Sequence, residues 1–487
     1  MISGHQDFYP ALLEAPDSIH LLLEITTAFV VKWLAAQEAV DGPFKRIAIA
    51  DYNDNKKEGI GMKKKAGKEL NRRTFIKTSG AIGLGLAASS FGVPTLLRAA
   101  PTKIKIGSIQ PVTGPLAVIG QGQRKANIMA ARQINAAGGI KSMGGAQLEL
   151  LLGDSESKPE VGRQEADRLI KDGAVVLQGP FQSGTAMAIA TLAEQRQVPF
   201  VMDVAALDAI TQKGYQYSFR VFITAKGLVG GAIKYLKQVT EMKGVMPKTA
   251  VVTNTADPFG KGMSGGFLKG LEKSGFPIKI IDRIQYPLGI QDLSTEVAKI
   301  KSLKPDLIFP VSRPGDSVIL TRELYKQRVP LMGIFCPGSP GWYEPHVVKD
   351  LDKLILYVLV NVPWVNPNST VYQKANAAFY KAYNQILDTN SAYAYTGTLV
   401  IADAIERAGS ARADDIVAAL KKTNFKDHPV VGGPVQFNEK GDNIGAMTAL
   451  IQVQKDPDYL KRVKIVMPKE FAQSDEIVFP APPLWER

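Results

Sequence analysis

From Ile104 onward, short runs of β-branched residues alternate with amphipathic stretches at a spacing of about 25–35 residues. This pattern argues for parallel sheets flanked by helices, because parallel strands need a crossover long enough to hold a helix. The first series places strands at 104–109, 147–152, 174–177 and 198–202. Between them, Ala126, Met129, Ala130, Ile134 and Ala137 fall at helical spacing and Gly138-Gly139 ends that helix, and further helices are predicted at 160–171 and 185–196. A second series begins near Thr249, with strands at 249–253, 278–283, 306–311 and 331–335 and helices at 262–273, 292–303 and 316–326. On the helix from Asp292, the residues Leu293, Val297 and Ile300 form one apolar stripe. The chain then returns to helices at 372–387 and 391–408 before a strand-like stretch at 430–437. With 487 residues, more than one core is expected, and two α/β series imply two lobes.

Composition narrows the chemistry. Apolar residues make up 45% and charged residues 22%, the usage of an ordinary globular protein. The net charge of +13 is spread along the chain, with no basic run interleaved with aromatics, so no nucleic-acid partner is expected. The single cysteine, Cys336, lies in an apolar stretch and reads as a small buried hydrophobe. The four histidines, His5, His20, His346 and His428, lack the spacing that puts two ligands on one helical face. The expectation is a protein with no metal and no cofactor.

The N-terminal hundred residues carry a different signal. Asn71-Arg72-Arg73-Thr74-Phe75-Ile76-Lys77 precedes residues 79–97, which are uncharged and rich in Gly and Ala, and Met62-Lys63-Lys64-Lys65 lies upstream. The segment 62–100 resembles a twin-arginine signal peptide, with Arg72, Arg73 and Phe75 as its signature, which implies passage through the Tat translocase to the periplasm. A membrane anchor is the alternative, though the five Gly and Pro residues in 79–97 suit a spanning helix poorly. Processing is expected near Ala99 or Ala100, and with no cysteine closing the apolar region a lipid anchor is excluded. Residues 1–61 are read as an N-terminal extension outside the functional protein.

The order of motifs in the body resembles the branched-chain amino-acid-binding type of periplasmic binding protein, the type I fold. The motifs are 104–107 running to Thr113-Gly114-Pro115, Ile134 to Ile140, Asp154, Gly179-Pro180-Phe181-Gln182-Ser183-Gly184-Thr185, Tyr217 to Arg220, and Gly433 to Phe437 with Lys440-Gly441-Asp442. The resemblance spans about residues 103–455. It implies an α/β protein of two Rossmann-like lobes with parallel sheets joined by three crossover segments, near 220–224, 358–363 and 437–447. Lobe 1 would comprise 101–222 plus 361–440, and lobe 2 would comprise 223–360 plus 441–487. The implied role is that of a monomeric, non-enzymatic solute-binding protein delivering a small molecule to an ABC permease. A ligand-sensing receptor of the same fold is the alternative.

A parallel α/β lobe binds ligands at the carboxyl ends of its strands, where helix N-termini offer free N–H groups. Ser183, Gly184 and Thr185 follow the strand at 174–177 and suit an anionic group; the competing reading is a cap serving its own helix. The resemblance adds Ile119, Val204, Ala206, Phe259, Arg313 and Tyr393 to the cleft. It also exposes departures: Ala206 stands where amino-acid binders commonly carry a hydroxyl, and Pro337-Gly338 where they carry an acid, unless Asp203, Asp257 or Glu344 substitutes. The expected ligand is therefore a small organic acid, aromatic or branched aliphatic, without an α-amino group, and an amino acid is the alternative. Arg313 reads as a bidentate carboxylate clamp or as a surface partner of Asp316. Gly262-Met263-Ser264-Gly265-Gly266 matches a hydrolase serine pattern, but Ser264 lies some ten residues past its strand, and no enzyme is expected.

Overall fold

The computed structural model describes residues 103–487, so Arg72, Arg73, Phe75 and the rest of 1–102 lie outside the described residues. The first lobe is built on a five-stranded parallel sheet in the order β2-β1-β3-β4-β5, comprising β1 (Lys103–Gln110), β2 (Gln147–Asp154), β3 (Val176–Gln178), β4 (Phe200–Met202) and β5 (Ser218–Arg220). Helices α1 (Ala117–Ala136), α2 (Pro159–Lys171) and α3 (Ser183–Arg196) connect these strands. Both faces of the sheet are covered, which is why β3, β4 and β5 are buried at every position.

The second lobe carries seven strands in the order β12-β11-β10-β9-β8-β6-β7. After α4 (Ala225–Lys243) come β6 (Thr249–Thr255), α5 (Pro258–Ser274), β7 (Lys279–Tyr286), α6 (Ser294–Leu303), β8 (Leu307–Val311), α7 (Pro314–Lys326) and β9 (Gly333–Cys336). A short helix α8 (Pro345–Leu351) leads to β10 (Leu359–Val362). The chain then crosses back, and α9 (Thr370–Tyr383), α10 (Thr389–Ala408) and α11 (Ala413–Lys421) follow, with α10 laid along α1 of the first lobe. It returns once more to form β11 (Ala449–Val453) and β12 (Val463–Met467), both antiparallel. The connections between the lobes thus run through 221–224, 363–369 and the stretch before Ala449.

Apart from 430–437, the predicted strands and helices appear close to their expected positions, while α4, β10, α11, β11 and β12 have no predicted counterpart. Residues 430–437 form no strand; they make isolated bridges, Val365 to Val430, Phe425 to Val435 and Phe437 to Asn443. The second sheet is mixed rather than wholly parallel, because β11 and β12 extend it beyond β10. Helix α3 begins at Ser183, two residues before the predicted start, so the hydroxyl cluster lies inside its first turn. Ser264 is buried on α5 and donates to the Gly260 carbonyl at 2.6 Å, the back-bond of a helical serine. Cys336 is fully buried, as its apolar setting predicts.

One buried charge fastens the joint between the lobes. Arg220, at the end of β5, is fully buried and donates to the carbonyls of Ala206 and Leu207, the latter at 3.0 Å, and to Thr211 Oγ1 at 3.1 Å. Its Nε lies 3.2 Å from Asp442, on the third connection. The strand end, the loop after β4 and the returning chain are thereby tied at one point.

Candidate ligand cleft

In each lobe the strand order reverses beside the first strand of its series, between β1 and β3 and between β6 and β8. Crevices open at such switch points, beyond the carboxyl ends of the strands. The segments after β3, β4, β6 and β8 accordingly meet across the lobe boundary and enclose a small, tightly packed cavity.

The first lobe contributes Phe181, Ser183, Val204 and Ala206. Gly179 sets the first two in place. Its φ is +108°, and a Cβ there would fall 2.1 Å from the Ile109 carbonyl, so only glycine lets the chain turn this tightly against β1. Ser183 does not cap its helix. It is the first helical residue, and its Oγ accepts from Leu207 N–H at 3.3 Å, leaving its proton free for a ligand. The second lobe contributes Phe259, Arg313, Gly338, Pro340 and Tyr343, while Phe222 comes from the connection after β5, Val362 from the end of β10 and Asn390 from the first turn of α10.

Arg313 is the cation of this cavity. It is 4% exposed, with its guanidinium 4.5 Å from the Phe259 ring centre and 5.3 Å from that of Phe181, so the rings of opposite lobes flank it. Its Nη2 donates to Asp257 at 2.7 Å, and its Nε has no partner among the described residues. The surface pairing with Asp316 is not formed: Asp316 accepts instead from the Arg313 backbone N–H at 2.9 Å and from the Tyr286 hydroxyl at 2.7 Å. Asp257 is engaged as well, accepting from Thr255 at 2.6 Å, from Gly260 N–H at 3.0 Å and from Arg313. Burial alone would raise its pKa, but the Arg313 charge and these hydrogen bonds hold it below the usual carboxylate range.

Ser183, Val204, Ala206, Phe259 and Arg313 thus come together on one cavity, and four other predicted residues do not line it. Gly184 faces Pro258 of the opposite lobe, where a Cβ would lie 3.4 Å from the ring. Thr185 is buried behind, its hydroxyl 3.4 Å from Gln182. Ile119 is a core residue of α1. Tyr393 stands behind Phe222, ring centres 4.7 Å apart, and its buried hydroxyl has no partner among the described residues. The sequence reading missed Phe222, Tyr343 and Asn390. Phe222 lies in a predicted crossover, and Tyr343 follows the Gly/Pro-rich run 337–341, a loop signal that could have drawn attention to it.

Residues 103–457 match the family model described as periplasmic binding protein. The chain is 26% identical over 344 residues, 70% of its length and 87% of the relative's, to a leucine-, isoleucine-, valine-, threonine- and alanine-binding protein of Pseudomonas aeruginosa. Among solved structures, it is similar to a leucine-binding protein of Thermotoga maritima, with 23% identity, a TM-score of 0.63, and coverage of 72% of this chain and 96% of that one. It is also similar to an ABC-transporter solute-binding protein of R. palustris in complex with benzoate, with 18% identity, a TM-score of 0.64, and coverage of 78% and 97%.

Proposed function

The chain belongs to the periplasmic binding protein family and is a solute-binding protein of the ABC-transporter type rather than an enzyme, and from that premise we propose that its ligand is a small organic acid, aromatic or branched aliphatic, lacking an α-amino group. The observation that carries this reading is the state of the charges around the cavity. Arg313 keeps an unpartnered Nε beside an enclosure made mainly of aromatic and aliphatic side chains, whereas the nearby acid, Asp257, is paired with Arg313 itself and accepts from Thr255 and Gly260. A carboxylate can therefore be met by Arg313 and the Ser183 hydroxyl, while an ammonium group would meet an acid whose charge Arg313 already balances. The benzoate complex of the R. palustris protein is a precedent within the same fold.

The test is a thermal-shift and calorimetric screen that sets leucine and phenylalanine against 4-methyl-2-oxopentanoate, phenylpyruvate and benzoate. The acids are expected to bind more tightly, and Arg313→Ala is expected to cost about 2–5 kcal/mol of binding. Tighter binding of leucine or phenylalanine than of its deaminated counterpart would overturn this ligand class.

Export by the Tat translocase, driven by Arg72, Arg73 and Phe75, delivery to a membrane permease and a monomeric state complete the proposal. Changing both Arg72 and Arg73 to Lys is expected to hold the precursor in the cytoplasm, as read by cell fractionation, and unaltered export would remove the Tat assignment.

A further inference from the structure

A second cavity adjoins the cleft, and Tyr343 lines both. Its walls are unusually aromatic. Tyr343 and Trp364 meet edge to face, with ring centres 5.0 Å apart, and Tyr372 and Tyr459 stand with them. The one carboxylate in this wall is that of Asp388, which caps α10 by accepting from Ser391 N–H at 3.0 Å and Ser391 Oγ at 2.8 Å. Asp388 and Tyr459 also line a wider outer recess, together with a second acid, Glu344. Glu344 is 3% exposed and accepts from Asn390 Nδ2 at 2.7 Å.

Helix capping accounts for Asp388 alone. It does not account for a second acid beside it, nor for the aromatic walls. Among the described residues neither acid lies within 4.0 Å of a Lys, Arg or His nitrogen, although burying a carboxylate without a counter-charge is costly. Burial, and for Glu344 the neighbouring Asp388 charge, push both acids above the usual carboxylate range. The ring faces add negative potential of their own. One of them already attracts a cation: the Lys349 ammonium sits 5.9 Å over the Tyr459 ring at the edge of the outer recess, which His346 also lines.

We propose that this cavity is a second ligand site, taking a small organic cation of the alkylammonium or quaternary ammonium class against Asp388 and the rings of Tyr343, Trp364, Tyr372 and Tyr459. Aromatic faces around a desolvated ammonium group are the physical basis of such recognition. Trp364 and Val365 belong to the connection at 363–369, so an occupant would also brace one of the three segments that join the lobes. The site is separate from the acid-binding cleft, and its existence does not depend on the ligand assigned there.

The experiment is isothermal titration of the intact protein with choline and with its uncharged isostere 3,3-dimethylbutan-1-ol, in buffer of matched ionic strength. Saturable choline binding is expected, with the isostere at least tenfold weaker. Asp388→Asn keeps a capping side chain and removes the charge, and is expected to weaken choline at least tenfold; Arg313→Ala, in the neighbouring cleft, is expected to leave it within twofold. Should Asp388→Asn fail to fold, Tyr372→Leu removes one ring and is expected to weaken choline severalfold. Absence of saturable choline binding, equal binding of the isostere, or loss with Arg313→Ala but not with Asp388→Asn or Tyr372→Leu would each overturn the assignment.

Discussion

Asp203, just past the end of β4, is fully buried beside neutral amides, accepting from Gln110 Nε2 at 2.6 Å and Gln178 Nε2 at 3.0 Å. Burial dominates these hydrogen bonds and pushes its pKa up to about 7. In the unfolded chain an aspartate titrates near 3.9, so between about pH 4 and pH 7 the fold retains a proton that the unfolded chain has released. Stability from this group is therefore greatest below about pH 4, declines as pH rises to about 7, and is level beyond, a loss on the order of a few kcal/mol. Asp203→Asn mimics the protonated acid, and the Oε1 of Gln110, unpartnered among the described residues, can turn to accept from the new amide. Thermal melts of this variant are expected to show a flatter pH profile and a higher Tm than the parent at pH 8; an unchanged slope would mean Asp203 is ionised throughout. Arg220 makes the opposite case, a buried charge that is paired. Arg220→Ala leaves Asp442 without its partner and frees the carbonyls of Ala206 and Leu207, so a loss of about 3–5 kcal/mol is expected by urea denaturation.

Helices α3 and α5, which rise from opposite lobes, govern how closely the cleft shuts. Gly184 on α3 faces Pro258, and Gly262 on α5 faces Leu207, where a Cβ would fall 2.4 Å from Cδ1. The missing side chains set the closest approach. Gly262→Leu is expected to prop the lobes apart, weakening the cleft ligand by tenfold or more while leaving each lobe's core intact; scattering with ligand present should report a larger radius of gyration than the parent gives. Elements of this kind were legible in the sequence because their pattern is local: β1, α1 and the β6-to-β8 series follow from apolar periodicity and from glycine after helices. Strands β11 and β12 were not, since edge strands that pair antiparallel after a long connection have no periodic neighbour to announce them. The same division holds in the cleft. Ser183, Val204 and Ala206 lie next to recognisable strand ends, whereas Phe222 and Tyr343 reach the cavity from loops and Asn390 from the first turn of α10, all placed there only by the tertiary fold. Arg313 was legible as a cleft cation, but its partner Asp257 is 56 residues away and no spacing rule connects them.

At the scale of the whole molecule, Arg313 is flanked by Phe259 of its own lobe and Phe181 of the other, which under the proposed function would make closure part of ligand recognition. Were the lobes to part, Phe181 would withdraw with the first lobe, while Asp257, Phe259 and Arg313 would move together with the second. An open form would therefore present a hydrated guanidinium already paired to Asp257, where the structure has a desolvated one with a vacant Nε. The proposed carboxylate would gain most from the closed arrangement and so shift the equilibrium toward closure by its differential affinity for the two. Ligand should accordingly raise Tm with concentration by mass action and reduce the radius of gyration. Phe181→Ala separates these effects, because it removes the first lobe's ring without touching the Arg313–Asp257 pair. In this variant the lobes are expected to close less completely at saturating ligand, with affinity lower by about 1–2 kcal/mol for the lost desolvated cation–aromatic contact, seen mainly as faster dissociation. A Phe181→Ala variant that binds and compacts like the parent would show that closure is driven by contacts elsewhere between the lobes, with Arg313 a passenger of the second lobe alone.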